Sequence, residues 1–427
     1  VTMTSATDSK VYDGTALTND SVTESGDGFV EGEGATYDVT GSQTEEGSSA
    51  NTFTYTLNDG TKADNYTITK NEGKLSITAK KAPIVITADS NEKVYDGTAL
   101  TDDGYTYDQS LLVEGDYIVA VVEGSQTNVG SSANKVTSYK VMRGETDVTA
   151  NYTFGESVDG KLSVTKCPVT LTSASDSKVY DGTALTKEVV TVSGDGWAAG
   201  EGAAYSEFAS ITNVGSVNNS FTYTLNEGTD AANYDITVVE GVLTVNKYTD
   251  AKLEATGYTG VYDGQMHDGV TDKAVVNGIE GDEWTYTYSI DGENFVEEMP
   301  QYQDVGTYTV YVKATNDNYE GDALTTTVPV VITPATIVVT ADDHVIATGD
   351  PDPELTYQVS TPVETETPAF DGILVRQEGA AKGEYPIEQG TLVLVDGEGF
   401  KASNYVLEYV PGTLTILQRA IDVEKTV

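Results

Sequence analysis

The chain has 427 residues and a formal charge of −45, from 68 acidic against 23 basic side chains. Nucleic acid and anionic lipid are both polyanions and would be repelled, so neither is expected as a partner. No apolar run approaches the ~20 residues that a membrane helix needs, and the residues from Val1 onward are not expected to be a signal peptide. The single Cys167 leaves no intrachain disulfide to staple small domains.

Tyr outnumbers Phe by 27 to 8, a strand-forming composition whose aromatics carry a polar handle. From the N-terminus, Thr4–Thr18 contains the tract Lys10-Val11-Tyr12-Asp13-Gly14-Thr15-Ala16-Leu17-Thr18. The same nine residues return at Lys93–Thr101 and Lys178–Thr186, and a looser copy reads Gly260-Val261-Tyr262-Asp263-Gly264. The period of about eighty residues is longer than the roughly 20–50 of a solenoid unit and fits a small autonomous domain.

Within a period, alternation of apolar and polar residues predicts strands, as in Phe53–Leu57 and Tyr308–Val312. Asn65 to Thr78 reads as a hairpin turning at Asn71-Glu72-Gly73. The landmark Asn-Tyr recurs at Asn65, Asn151, Asn233, Asn318 and Asn404, each followed by tyrosine. Gly-x-Leu closes modules one, two, three and five at Gly73, Gly160, Gly241 and Gly412.

No amphipathic helical stretch of useful length appears. The expected fold is all-β: a tandem array of five small Ig-like sandwiches forming an elongated rod. The module boundaries are expected at 1–81, 82–167, 168–248, 249–335 and 336–427. The joints are short and carry proline, as in Lys81-Ala82-Pro83 and Lys166-Cys167-Pro168, which argues for stiffness. Strand rise gives roughly 35–40 Å per module and about 180 Å for five. The chain starts and stops within strand-like text, at Val1-Thr2-Met3 and Ala420-Ile421-Asp422, so it is expected to be cut from something longer.

At the Tyr-Asp-Gly-Thr-Ala-Leu-Thr tract the first three modules resemble the YDG-type repeat domains of large bacterial surface proteins. The fifth module, with Gly349-Asp350-Pro351-Asp352-Pro353-Glu354, resembles the MBG-type domain of the same proteins, and the fourth resembles a neighbouring Ig-like module. The resemblance implies cell-surface adhesins anchored to a Gram-positive wall, some proposed to bind mucin. It implies an extracellular location and a monomeric stalk that projects a distal binding head. The competing expectations are direct binding of host mucin or glycans by the repeats, and an accessory region of a secreted carbohydrate-active enzyme.

Each candidate site has a plain structural explanation beside it. In the tract, Tyr12-Asp13-Gly14, Tyr95-Asp96-Gly97, Tyr180-Asp181-Gly182 and Tyr262-Asp263-Gly264 read as turns, because Asp-Gly supplies positive φ. The Asn-Tyr pair reads as a tyrosine corner, with the phenol bonded to nearby backbone. Acid-rich loops are the metal candidates: Asp27, Glu31 and Glu33; Asp195 and Glu201; and Asp350, Asp352 and Glu354. Their oxygens suit Ca²⁺, although no EF-hand loop is present, and no other cofactor is expected.

Surface proteins of this type also suggest an internal Lys–Asn amide, which would pair Lys10 with Asn65, Lys93 with Asn151 and Lys178 with Asn233. No catalytic residue is expected, since His267 and His344 neighbour no convincing nucleophile, and the chain is read as not an enzyme. In the glycan-binding expectation an exposed tyrosine, Trp197 or Trp284 would make the contact. Trp197 stands where module one has Phe29, which reads as a packed aromatic rather than a sugar platform. No ligand-binding residue can be named.

Overall fold

The computed structural model describes residues 1–321 and 324–420. The described chain is all-β, as expected, with five single-turn 3₁₀ segments and no α-helix among the described residues. The strand-like text beyond Ala420 lies outside the described residues. The chain divides into two compact units. One comprises Val1–Ala174, Glu188–Glu207 and Ser220–Glu240; the other comprises Ser175–Lys187, Phe208–Asn219 and the chain from Gly241 onward.

In the first unit, module one begins with two consecutive strands that serve different sheets. Thr2–Ser5 pairs antiparallel with Val22–Ser25 and parallel with Thr69–Asn71. After Ala6-Thr7, Asp8–Val11 crosses to pair parallel with Gly73–Thr78, which runs antiparallel to Gly47–Asn51. The segment predicted as a hairpin over Asn65–Thr78 is therefore not one: Thr69–Asn71 and Gly73–Thr78 belong to different sheets.

The chain switches sheets at Gly73 because the two backbones nearly touch there. A Cβ on Gly73 would lie 2.2 Å from the Ala6 carbonyl oxygen and 2.4 Å from that of Ser5. Gly160, in the same place of module two, would meet the Asp89 carbonyl at 2.1 Å. The Gly-x-Leu signature thus marks a crossing that only glycine permits.

The second unit repeats the scheme. Ala335–Ala341 pairs with Tyr357–Ser360 and, in parallel, with Tyr405–Val410; His344–Ala347 then pairs parallel with Gly412–Leu417. Module five keeps this framework although it lacks the Tyr-Asp-Gly tract.

One buried cluster, Leu253 to Val330, lies within module four, while four others span an expected module boundary. In the first unit, Tyr12, Leu75 and Ile77 share one buried cluster with Ile84, Ile118 and Tyr152 of the next module. A second cluster joins Tyr95, Leu162 and Val164 to Cys167, Leu171 and Tyr234. In the second unit, Tyr180 and Leu243 are buried with Ala251 and Tyr319, and Tyr262 and Ile332 with Ile337 and Tyr405. Short joints make this possible: Gly160–Thr165 is followed after one residue by Cys167–Ser173. Apolar surface that a module of about eighty residues cannot bury alone is buried against its neighbour.

Candidate functional site: the tyrosine–carboxylate joints

Each Asp-Gly pair forms a turn. Asp13 Oδ1 accepts from the Thr15 amide at 2.9 Å and from its hydroxyl at 2.7 Å, and Gly14 takes φ +78°. Lys10 Nζ closes the turn at 2.9 Å from Asp13 Oδ1 and 2.7 Å from Thr15 Oγ1. Lys93 and Lys178 do the same with Asp96 and Thr98, and with Asp181 and Thr183. These bonds hold the Asp13 and Asp96 carboxyls far below the usual range and bring Asp181 down to about 2, with the lysine as the largest cause.

The tract is more than a turn. Its tyrosine leaves its own module and enters the next. Tyr95 donates to Glu201 Oε1 at 2.6 Å while Tyr234 donates to Glu201 Oε2 at 2.8 Å. Tyr180 and Tyr319 share Asp282 at 2.7 and 2.5 Å, and Tyr262 and Tyr405 share Glu366 at 2.5 and 3.0 Å. Tyr12 and Tyr152 share Asp116 at 3.4 and 2.5 Å.

The tyrosine pairs also meet edge to face, with ring centroids 5.3–5.9 Å apart. All eight tyrosines are buried. Burial and the adjoining carboxylate both penalise the phenolate, and Tyr12, Tyr262 and Tyr319 are pushed up to about 12, chiefly by burial. Tyr95 rises to about 12, chiefly through its bond to Glu201.

The shared carboxylate sits on one recurring turn. Its residue donates its backbone N–H to the carbonyl three residues earlier, in Val30–Glu33, Val113–Asp116, Ala198–Glu201, Ile279–Asp282 and Val363–Glu366. The third position is glycine at φ +85° to +90° in the first four, as a type II turn requires. The first residue of the turn touches the tract glycine of the preceding module. A Cβ on Gly14 would lie 2.7 Å from Val113 Cγ1, and one on Gly264 2.9 Å from Val363 Cγ1. The tract glycine is therefore required twice, for its φ and for this contact.

The Asn-Tyr asparagine supplies a second link. Asn233 Oδ1 accepts from the Val129 amide of the preceding module at 2.9 Å, Asn318 from Val214 at 2.9 Å and Asn404 from Val305 at 2.9 Å. Asn151 accepts from Glu46 at 2.5 Å. The tyrosine-corner reading is thus corrected. Tyr152, Tyr234 and Tyr319 accept from amides 36–40 residues upstream, those of Val113, Ala198 and Ile279, rather than from adjacent backbone.

The residues of the expected amide cross-link have the following surroundings. The three lysines are held at Asp13, Asp96 and Asp181, while Asn151 and Asn233 face the preceding module and Asn65 is exposed. The lysines thus donate to the tract carboxylates and threonines.

The acid-rich loops do not assemble into metal cages. Among the described residues no three His, Cys, Asp or Glu side chains are grouped to hold an ion. Glu33 and Glu201 are tyrosine acceptors. Asp350 lies 2.5 Å from Arg419 and Asp352 is held bidentate by Arg376 at 2.8 Å. Of Asp27, Glu31, Asp195 and Glu354, none joins such a group.

Trp197 and Trp284 pack against the joint tyrosines Tyr234 and Tyr319, at 4.8 and 4.5 Å between centroids, in the place Phe29 takes beside Tyr66. Cys167 is buried, with its thiol donating to the Gly196 carbonyl. Module four lacks the tract lysine, and Tyr258 fills that space. Tyr258 stacks on His267, whose Nε2 lies 2.9 Å from Asp263. An open hollow in this module is lined by Met266, Tyr288, Ile290 and Met299. Its Asp291 is taken up by Ser289 and the Glu293 and Asn294 amides.

The geometry defines a class: a tandem β-repeat protein whose modules lock through tyrosine pairs on a shared carboxylate. Two stretches match known domain families: residues 164–241 match the YDG domain, and residues 337–415 the MBG domain (YGX type). No curated protein matches the chain. Similar solved structures include mouse cadherin-23 EC22-24, at 13% identity and TM-score 0.22, covering 58% of this chain and 98% of that one. Sidekick-1 immunoglobulin domains 1-5 align at 11% identity and TM-score 0.24 over 97% of both chains. No helix among the described residues is long and apolar enough to cross a membrane.

Proposed function

We propose that the chain is a non-enzymatic spacer of a bacterial surface adhesin, a stalk segment that holds a distal binding head away from the cell wall. The observation that carries this reading is the fourfold recurrence of one joint, with each tract tyrosine buried in the following module. A residue used to fix its neighbour is not free to meet a ligand. The matches to YDG and MBG domains support a surface repeat protein. No calcium is required in this reading, because the cross-module links are made by phenols, amides and carboxylates.

The alternative, direct binding of host glycans, would need exposed aromatic platforms, yet Trp197 and Trp284 are committed to joint tyrosines. A mucin-glycan array probed with the whole chain tests the two. The spacer reading predicts no binding to any glycan, and saturable binding by the chain would overturn it.

A further inference from the structure

Module one carries the receiving half of a joint, complete and uncovered. Tyr66 donates to Glu33 Oε2 at 2.6 Å and accepts from the Val30 amide at 3.1 Å. Glu33 sits on the same turn as Asp116, Glu201, Asp282 and Glu366, with Gly32 at φ +87°. In the three joints built on Glu201, Asp282 and Glu366, the module's own tyrosine takes the second carboxylate oxygen and the incoming tyrosine the first. Glu33 follows this assignment, with Tyr66 on Oε2 and Oε1 left for an incoming donor.

Three further side chains separate this end from its four counterparts. Val30 is 66% exposed, whereas Val363, in the same place, is 5% exposed beneath the tract glycine. Tyr66 is half-buried although Tyr152, Tyr234, Tyr319 and Tyr405 are buried. Asn65 is exposed, whereas Asn151, Asn233 and Asn404 are buried against the preceding module's amide.

We infer that Glu33, Tyr66, Val30 and Asn65 form a docking socket for the Tyr-Asp-Gly end of another β-module, which would be joined in the same polypeptide ahead of module one. The occupant must offer a tyrosine hydroxyl, a glycine flat enough to cover Val30, and a backbone N–H for Asn65. A second copy of this chain does not fit: Tyr12, Tyr95, Tyr180 and Tyr262 are all engaged in resident joints.

Among its described residues the fifth module offers no plug tyrosine either. Tyr12, Tyr95, Tyr180 and Tyr262 each donate their amide to the last strand of their module, and Thr348 makes the matching bond to Leu417. Threonine thus stands where the plug tyrosine would stand, and its hydroxyl turns back to the Leu417 carbonyl at 3.0 Å.

The inference rests on the spacer reading of the resident joints and is tested beside them. A copy of residues 82–168 is placed ahead of Val1 in the full chain, so that the copied Pro168 precedes Val1 as Pro168 precedes Val169. Both Cys167 positions are changed to alanine, the residue at position 82, and spin labels are placed at the copied Thr137 and at Thr54. A separate sample carries labels at the resident Thr137 and at Thr222.

The expected result is a narrow distance distribution at both joints. At the new joint alone it should be lost in Asn65→Ala and in Tyr95→Phe of the copy, neither of which touches the core of module one. A distribution at the new joint that is broad, or unchanged by these variants, overturns the socket. If the resident joint is broad as well, the spacer reading itself fails.

Discussion

The first two joints use the same parts with different emphasis. Between modules two and three, Glu201 is gripped by two phenols at 2.6 and 2.8 Å. Between modules one and two, Asp116 is one methylene shorter and Tyr12 stands off at 3.4 Å. Arg143 makes up the difference. Its Nε donates to Asp116 at 2.6 Å, its Nη1 reaches across to the Gly14 carbonyl at 3.0 Å, and its guanidinium lies 5.6 Å from the Tyr12 ring centroid. The polar link across a joint can thus move from the tyrosine to another donor while the ring contact and the buried cluster persist.

The two joints should differ most when their carboxylates are removed. Asp116→Ala strips the acceptor from Arg143 and two buried phenols and should cost about 3 kcal/mol, against about 2 kcal/mol for Glu201→Ala, which strands two phenols. Hydrogen exchange at the Glu46 and Val129 amides reads the two local openings. Equal losses would contradict the added role of Arg143.

Alkali acts on both joints at once. The joint tyrosines carry pKa values raised in the folded state to about 12 for Tyr12 and Tyr95, against an ordinary value near 10. The unfolded chain therefore releases these protons first. Their contribution is complete below pH 10 and is lost as pH rises from about 10 through 12. Denaturation monitored against pH should show that loss, and a flat stability across this window would count against buried phenol–carboxylate pairs.

Tyrosine hydroxyls give a smaller and more specific contrast. Tyr95→Phe should cost about 1.5 kcal/mol, because it removes a charge-assisted bond in a buried joint. Tyr12→Phe should cost no more than about 0.5 kcal/mol, since its bond is long and Arg143 remains. Reversal of that order would refute the exchange of donors.

The smallest effect concerns the lysine clamp. Asp13 and Asp181 are half-exposed or more, so solvent screens the pair, and Lys10→Met and Lys178→Met should each lower stability less than any change at the joints. The depressed carboxyls mean that the clamp acts above the usual carboxylate pKa and fades as pH falls toward 2. Chemical denaturation of each variant beside the parent at neutral pH measures the loss.

The sequence disclosed the period, the strands and the Asp-Gly turns because each is written in adjacent residues. The joint was hidden because its members lie in different modules. Tyr95 and Glu201 are 106 residues apart, and Tyr180 and Asp282 are 102 apart. Every member also had a sufficient local explanation: Tyr12 as packing beside a turn, Asn151 as a corner, Glu33 as part of an acidic loop. One signal was available. The pattern apolar-x-Gly-acid recurs at Val30-Glu31-Gly32-Glu33, Val113-Glu114-Gly115-Asp116, Ala198-Ala199-Gly200-Glu201 and Ile279-Glu280-Gly281-Asp282. In so acidic a chain it was lost among other carboxylates. The mistaken hairpin has a different cause: Thr69–Asn71 and Gly73–Thr78 alternate as paired strands would, and nothing in the pattern records that Gly73 changes sheets.

A carboxylate shared by two tyrosines, if it fixes one module against the next, must hold the two at a defined distance. Spin labels at Thr137 and Thr222 in the Cys167→Ala chain read that distance across the joint at Glu201, before and after Tyr95→Phe and Glu201→Gln are introduced together. The expected distribution is narrow in the parent and broadens when both residues are changed. A distribution already broad in the parent, or one that stays narrow without the tyrosine hydroxyl and the carboxylate, would contradict the joint.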